Sequence, residues 1–244
     1  MVDINKEDQC DECNTNTSYN ISDVLLMFEK SLIKTAIYTL MFLTLIEVIS
    51  YYGFFRNVPD FFSRYGYYLI FLIISIVINS VAVWHVKAYK HSFSHMSGMM
   101  IGMTIGMSSG FSVGLIIGAT NGMFIGSLAG LIIGMIIGGY VGNCCGIMGV
   151  MEGMMAGLMG GIMGAMTSVM TLNDNLKAFV PILTISMSII MFGLIVMIYQ
   201  EEIAKKKDID YKGFDFLPFI TVNFIITIAL TFLMIYGPRS FLFG

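Results

Sequence analysis

Residues 98–146 read GMMIGMTIGMSSGFSVGLIIGATNGMFIGSLAGLIIGMIIGGYVGNCCG. Glycine stands at every fourth position of this run, thirteen times without a break. The register then slips by three to Gly149 and resumes at Gly153, Gly157 and Gly161. Over residues 91–173 the only formally charged side chain is Glu152. A tract this long and this poor in charge belongs in lipid. As one helix, residues 98–146 would extend about 73 Å at 1.5 Å per residue, more than twice the hydrocarbon thickness of a bilayer. The chain is therefore expected to fold back twice. Turn signals stand at Thr120-Asn121-Gly122 and Asn143-Cys144-Cys145-Gly146, cutting the tract into helices near 96–119, 122–142 and 147–171. A weak internal repeat agrees with the cut, since Gly98-Met-Met-Ile-Gly102, Gly122-Met-Phe-Ile-Gly126 and Gly149-Val-Met-Glu-Gly153 recur about one crossing apart. A single long helix sheathed by protein is the alternative.

The rest of the 244-residue chain carries the same character. It is 57% hydrophobic and 12% charged, about half the charge of a soluble domain, with a mean hydropathy of +0.82. A net charge of −3 offers no basic patch, so nucleic acid is not an expected partner. Residues 1–29 form a polar N-terminal tail with no cleavable signal pattern. Residues 30–95 hold two apolar segments, near 31–52 and 65–84, and residues 173–244 hold two more, near 178–199 and 218–236, separated by a basic loop. Aromatic residues cluster at the ends of these segments, and Pro181 and Pro218 lie close to the starts of theirs. With the three helices of residues 96–172 the total is about seven spans. The expected fold is an all-α polytopic membrane bundle with a glycine-zipper core of three helices.

Charge placement tests the count independently. Lys30 and Lys34 precede the first span, Lys87 and Lys90 follow the second, and Lys205, Lys206 and Lys207 follow the sixth. All fall on one side only if an odd number of crossings separates His91 from Asp174. By the preference of Lys and Arg for the cytoplasm, the N-terminus is expected inside, with the protein in the plasma membrane of a prokaryote. Arg56, Arg64, Lys177 and Arg239 fall on the other side.

Twenty glycines between residues 98 and 164 represent a large helix-propensity deficit, at about 1 kcal/mol each relative to alanine. Close backbone approach between helices is what offsets it in lipid. Each helix has more glycine than one neighbour requires, so a homo-oligomer through the glycine-zipper helices is expected.

Fifteen methionines fall between residues 96 and 170. Met99, Met103 and Met107, and again Met151, Met155, Met159 and Met163, repeat at four residues and so form ladders of thioethers along one helix side. Thioethers are uncharged soft ligands suited to Cu(I). The threading gathers His95, Met96, Cys144, Cys145, Met151 and Glu152 at the cytoplasmic face, with Cys10 and Cys13 of a CxxC on the same side. The expected activity is binding or passage of a soft monovalent metal along the ladders, with the bilayer and further copies as partners. The other readings are methionine as flexible filler beside glycine grooves, Glu152 as a hydrated or snorkelling residue, and a structural or channel-forming oligomer without metal. Asn79, within the second span, is placed to hydrogen-bond a neighbouring helix. No Ser/His/Asp set, HExxH or phosphate loop is present, so no enzyme is expected.

The pairs Met99/Met103 and Met155/Met159, beside Gly98/Gly102, resemble the MxxxM and GxxxG motifs of the Ctr copper transporters. That resemblance implies copper moving between stacked methionines of an oligomer. The chain departs from the family in having seven expected spans against three, both motifs on the same helices, and no methionine-rich extracellular tail.

Overall fold

The structure is a computed structural model, and it describes residues 40, 41, 44, 66–88, 95–143, 146–173, 175–205 and 216–237. These are helical throughout: α1 Gly66–Ala88, α2 His95–Asn121, α3 Met123–Gly142, α4 Gly146–Met170, a 3₁₀ turn Thr171–Asn173, α5 Leu176–Lys205 and α6 Phe216–Tyr236. Five of them, α1 to α5, are long and apolar enough to cross a membrane, and α6 carries a shorter apolar stretch, Asn223–Ile235. An integral membrane protein is consistent with this. The expected first span, 31–52, lies outside the described residues apart from Leu40, Met41 and Thr44.

The glycine tract breaks where the turn residues stand. Between α2 and α3 there is one residue, Gly122, at φ 105° and ψ 170°, a backbone conformation that essentially only glycine adopts. Before α4, Gly146 has φ +79°. Helices α2, α3 and α4 therefore run up, down and up. Gly102 of α2 lies against Gly142 of α3, and Gly126 of α3 against Gly118 of α2, which makes that pair antiparallel. Gly106, Gly110 and Gly114 of α2 meet Gly153, Gly157 and Gly161 of α4 in rising order, which makes that pair parallel.

Helix α2 is the most enclosed of the described spans. Of its span 78% is buried, against 17–39% for the other four, because glycine-lined α3 and α4 close one side and α1, α5 and α6 the other. Ile101 and Ile105 pack with Ala82 and Val86 of α1 and Ile198 of α5, while Ile116 and Ile117 pack with Leu72 of α1 and Leu230 of α6. With Leu115 against Val180 of α5, and Asn121 bonded to Leu233 of α6, these pairings set α1 and α5 antiparallel to α2, and α6 parallel to it. Neighbours in sequence thus alternate in direction. The ends of α1 (Lys87) and α5 (Lys205) fall at the end of the bundle where α2 begins (His95), and Lys177 falls at the opposite end.

Buried hydroxyls and amides tie α1, α2 and α6 together in the middle of the bundle. Asn79 Nδ2 donates to Ser75 O (2.9 Å) in its own helix, and its Oδ1 accepts from Ser108 of α2 (2.9 Å). Ser80 donates to Asn223 Oδ1 of α6. Asn79 thus bonds a neighbouring helix, as its place in an apolar span suggests. Interhelical hydrogen bonds inside a bilayer are worth about 0.6 kcal/mol on average and about 1.7 at most. Asn79→Leu is therefore expected to lower stability by that order in a detergent melt, with the helix content unchanged.

Pro181 lies inside α5 instead of at its start, because the helix begins two residues earlier than the apolar pattern suggests. Proline has no N–H, so Lys177 O, four residues before it, loses its usual helical donor. Tyr67 of α1 takes over: its hydroxyl donates to Lys177 O at 2.5 Å. Tyr67→Phe should cost about 1 kcal/mol. Adding Pro181→Ala should recover it, since residue 181 then donates to the same carbonyl. Equal losses with proline and with alanine at 181 in a double-mutant cycle would dismiss this coupling.

Candidate functional site

The interior of the three-helix unit is occupied by glycine, and glycine decides where everything else points. A methyl group placed on Gly130 would lie 2.8 Å from Gly110 O, 2.8 Å from Gly161 Cα and 2.9 Å from Gly114 Cα. One placed on Gly106 would lie 2.7 Å from Gly153 O and 3.0 Å from Gly138 Cα. Real Cβ atoms essentially never come within 3.0 Å of another heavy atom, so backbone touches backbone on both sides of the same residue. The glycines are thus used up between α2, α3 and α4 of one chain. Each of these helices thus meets two glycine-lined neighbours within the chain.

The methionines of the ladders lie on the outside. Successive residues of an α-helix are about 100° apart. On α4, Met151, Met155, Met159 and Met163 each stand two residues after a glycine, at Gly149, Gly153, Gly157 and Gly161. They are therefore turned about 200° from the packed face, and all four are more than half exposed. On α2, Met103 and Met107 stand one residue after Gly102 and Gly106, about 100° away, and are 48% and 40% exposed. Met99 is half-buried and Met96 exposed. The ladder thioethers do not converge inside the trio of helices, whereas Met154 lies against Gly139 of α3. Helices touching through glycine leave no lumen for an ion between them.

Among the described residues the outward methionines are concentrated on two helices, with Met41 and Met123 the exposed ones elsewhere. All four exposed large hydrophobic side chains of α2, and eight of the eleven on α4, are methionine. On α1, α3, α5 and α6 only one of fifteen is, and there the outer surface is isoleucine, leucine and aromatic. In α5 and α6 the arrangement is reversed, with Met191 and Met234 fully buried. Because α2 and α4 are adjacent, with Gly160 against the Met107 backbone, their methionines border one surface.

The remaining candidates are placed only in part. His95 opens α2, and α4 starts at that same end of the bundle, with Met148 and Met151 exposed in its first two turns. Glu152 is half-buried beside them. Cys144 and Cys145, in the turn between α3 and α4, and Cys10 and Cys13 of the N-terminal tail lie outside the described residues. Among the described residues no three His, Cys, Asp or Glu side chains gather in a way that could hold a metal. At the opposite end, Asn121 of α2 is buried, with Nδ2 donating to Leu233 O of α6 (3.0 Å) and Oδ1 without a hydrogen-bond partner. The amide sits where the two helices finish together, and Gly237 closes over it. Sequence reading marked Asn121 as a turn residue only, since nothing in the sequence places the end of α6 against it. Comparison with protein families, with characterised proteins and with solved structures finds no match to this chain.

Proposed function

We propose that this is an integral membrane protein of seven crossings, built on a glycine-zipper core, whose methionine surface on α2 and α4 binds a soft monovalent metal, Cu(I) first. The segregation of exposed methionine to two adjacent helices carries the reading. Acyl chains are met equally well by isoleucine, leucine and phenylalanine, which the other helices present. A thioether differs from these in being a soft ligand, so a surface that prefers it has a use for sulfur. The motif resemblance to the Ctr transporters points the same way. His95, Met148, Met151 and Glu152 stand near the end where Lys87 and Lys205 lie, and the distribution of basic residues supports reading that end as cytoplasmic. On this reading the N-terminus is cytoplasmic and the softest donors lie at the inner mouth of the surface. The expected setting is the plasma membrane of a prokaryote, and no catalytic step is assigned.

The second reading is a non-metal scaffold. It draws support from the glycine contacts, which bring the backbones of α2, α3 and α4 into close approach. Copper retention separates the two. Protein purified under reducing conditions is expected to keep near-stoichiometric copper. Met→Leu at Met99, Met103, Met155 and Met159 together should drop retention to background with the melting temperature unchanged. Wild-type protein that holds no copper supports the scaffold instead.

A further inference from the structure

We infer that the last turn of α6 is a latch on the end of α2, closed on Asn121 at a net cost to that amide and poised to swing away from it. The inference rests on the membrane reading above, but not on metal.

One side chain makes the latch. Asn121, the last residue of α2, is fully buried. Its Nδ2 donates to Leu233 O of α6 (3.0 Å), while among the described residues its Oδ1 has no hydrogen-bond partner. Turning the amide over does not help, since Oδ1 would then face Leu233 O. The adjacent hydroxyl of Thr120 is turned to its own helix, donating to Ile117 O (3.1 Å) and Ile116 O (3.3 Å). A buried acceptor without a donor loses its hydration and receives nothing for it, which outweighs the net gain from one hydrogen bond. The bond adds little to α6 either. Leu233 O already accepts from Gly237 N (2.8 Å), its ordinary helical donor, and keeps that donor when Asn121 leaves. Opening therefore relieves the amide and leaves α6 intact.

The latch is held shut by apolar contact. Leu230 packs with Ile116 and Ile117 of α2, and Met234 with Leu69, Ile73 and Val77 of α1. Nearer the start of α6, Ser80 of α1 donates to Asn223, so the helix is tied there and its far end is the part that moves. Water can take the amide once it is uncovered, because Asn121 ends a 26-residue apolar stretch and so stands at the boundary of a bilayer. Behind it, Thr231, Thr227 and Asn223 are buried at four-residue steps on one face of α6, leading to Ser80 in the middle of the bundle. Water admitted at the latch meets that polar row first.

The test uses the full chain in lipid nanodiscs, with Cys10, Cys13, Cys144 and Cys145 replaced by serine. Nitroxide labels are attached through Phe124→Cys of α3 and Phe232→Cys of α6, both exposed positions at this end of the bundle. The expected result is two distances between the labels, the longer one held by about a tenth of the molecules. Asn121→Leu or Asn121→Ala, each of which removes the orphaned oxygen, should shrink the longer population about fivefold. The melting temperature should stay level or rise. A control pair within the glycine-packed helices, Phe124→Cys with Met170→Cys, should show one distance throughout. A single distance for the Phe124 and Phe232 pair with Asn121 in place, or a longer population that neither replacement shrinks, would overturn the inference. In either case Oδ1 already has a donor when closed, a lodged water included. Copper retention is read separately, so a moving latch on protein that holds no copper removes only the metal reading.

Discussion

Gly130→Leu is expected to prevent folding altogether. Even the first added carbon would lie below 3.0 Å from the backbones of both α2 and α4, and three further carbons have nowhere to go. Ordinary overpacking costs about 1–3 kcal/mol because side chains can shift, but backbone on two sides cannot. The loss should therefore exceed about 3 kcal/mol, a large part of what a folded protein has in reserve. Gly193→Leu is the matched control. Gly193 lies on the exposed side of α5 with nothing within 4 Å of an added Cβ, and the change should move stability by no more than about 0.5 kcal/mol. Yield of monodisperse protein and thermal unfolding in detergent read both. Similar losses at the two positions would mean that helix propensity, and not contact between helices, explains the glycines.

Gly122→Val should be nearly as damaging, for a different reason. The whole reversal between α2 and α3 is made in one residue, held by Gly122 N donating to Gly118 O (3.2 Å) and Gly122 O accepting from Gly126 N (3.0 Å). At φ 105° and ψ 170° any side chain is strained, by about 1–3 kcal/mol, and a β-branched one most. If the turn opens to relieve that strain, the first glycine contacts of α2 with α3 open with it. Gly146→Asn makes the contrast. Its φ of +79° is a region asparagine visits, and an added Cβ there meets nothing within 4 Å, so the melting temperature should fall by much less. Equal losses at positions 122 and 146 would indicate that the turns are interchangeable linkers.

Much of the glycine region was legible before any coordinates. The length of the uncharged tract forbade a single crossing, and the residues able to break it, at 120–122 and 143–146, are where the structure breaks it. The direction of the methionines was legible too, though it was read differently. A ladder two residues after each glycine is turned about 200° from the glycine face, so once that face is inside, Met151, Met155, Met159 and Met163 must be outside. The apolar run puts Pro181 closer to the start of its helix than the structure does, because such a run shows where a span is greasy and says nothing of the turn that precedes it.

The spacing and emptiness of charge in the sequence determined that the tract is helical and that it reverses twice, because these follow from local geometry and the thickness of a bilayer. Which helix is central could not be found that way. Helices α2, α3 and α4 share one pattern, and only the tertiary structure buries most of α2 while leaving α4 open along its methionines. Likewise, whether a glycine row meets its own chain or another depends on what else fits within contact distance. Here two neighbours of the same chain already do, and the sulfur is left to face outward.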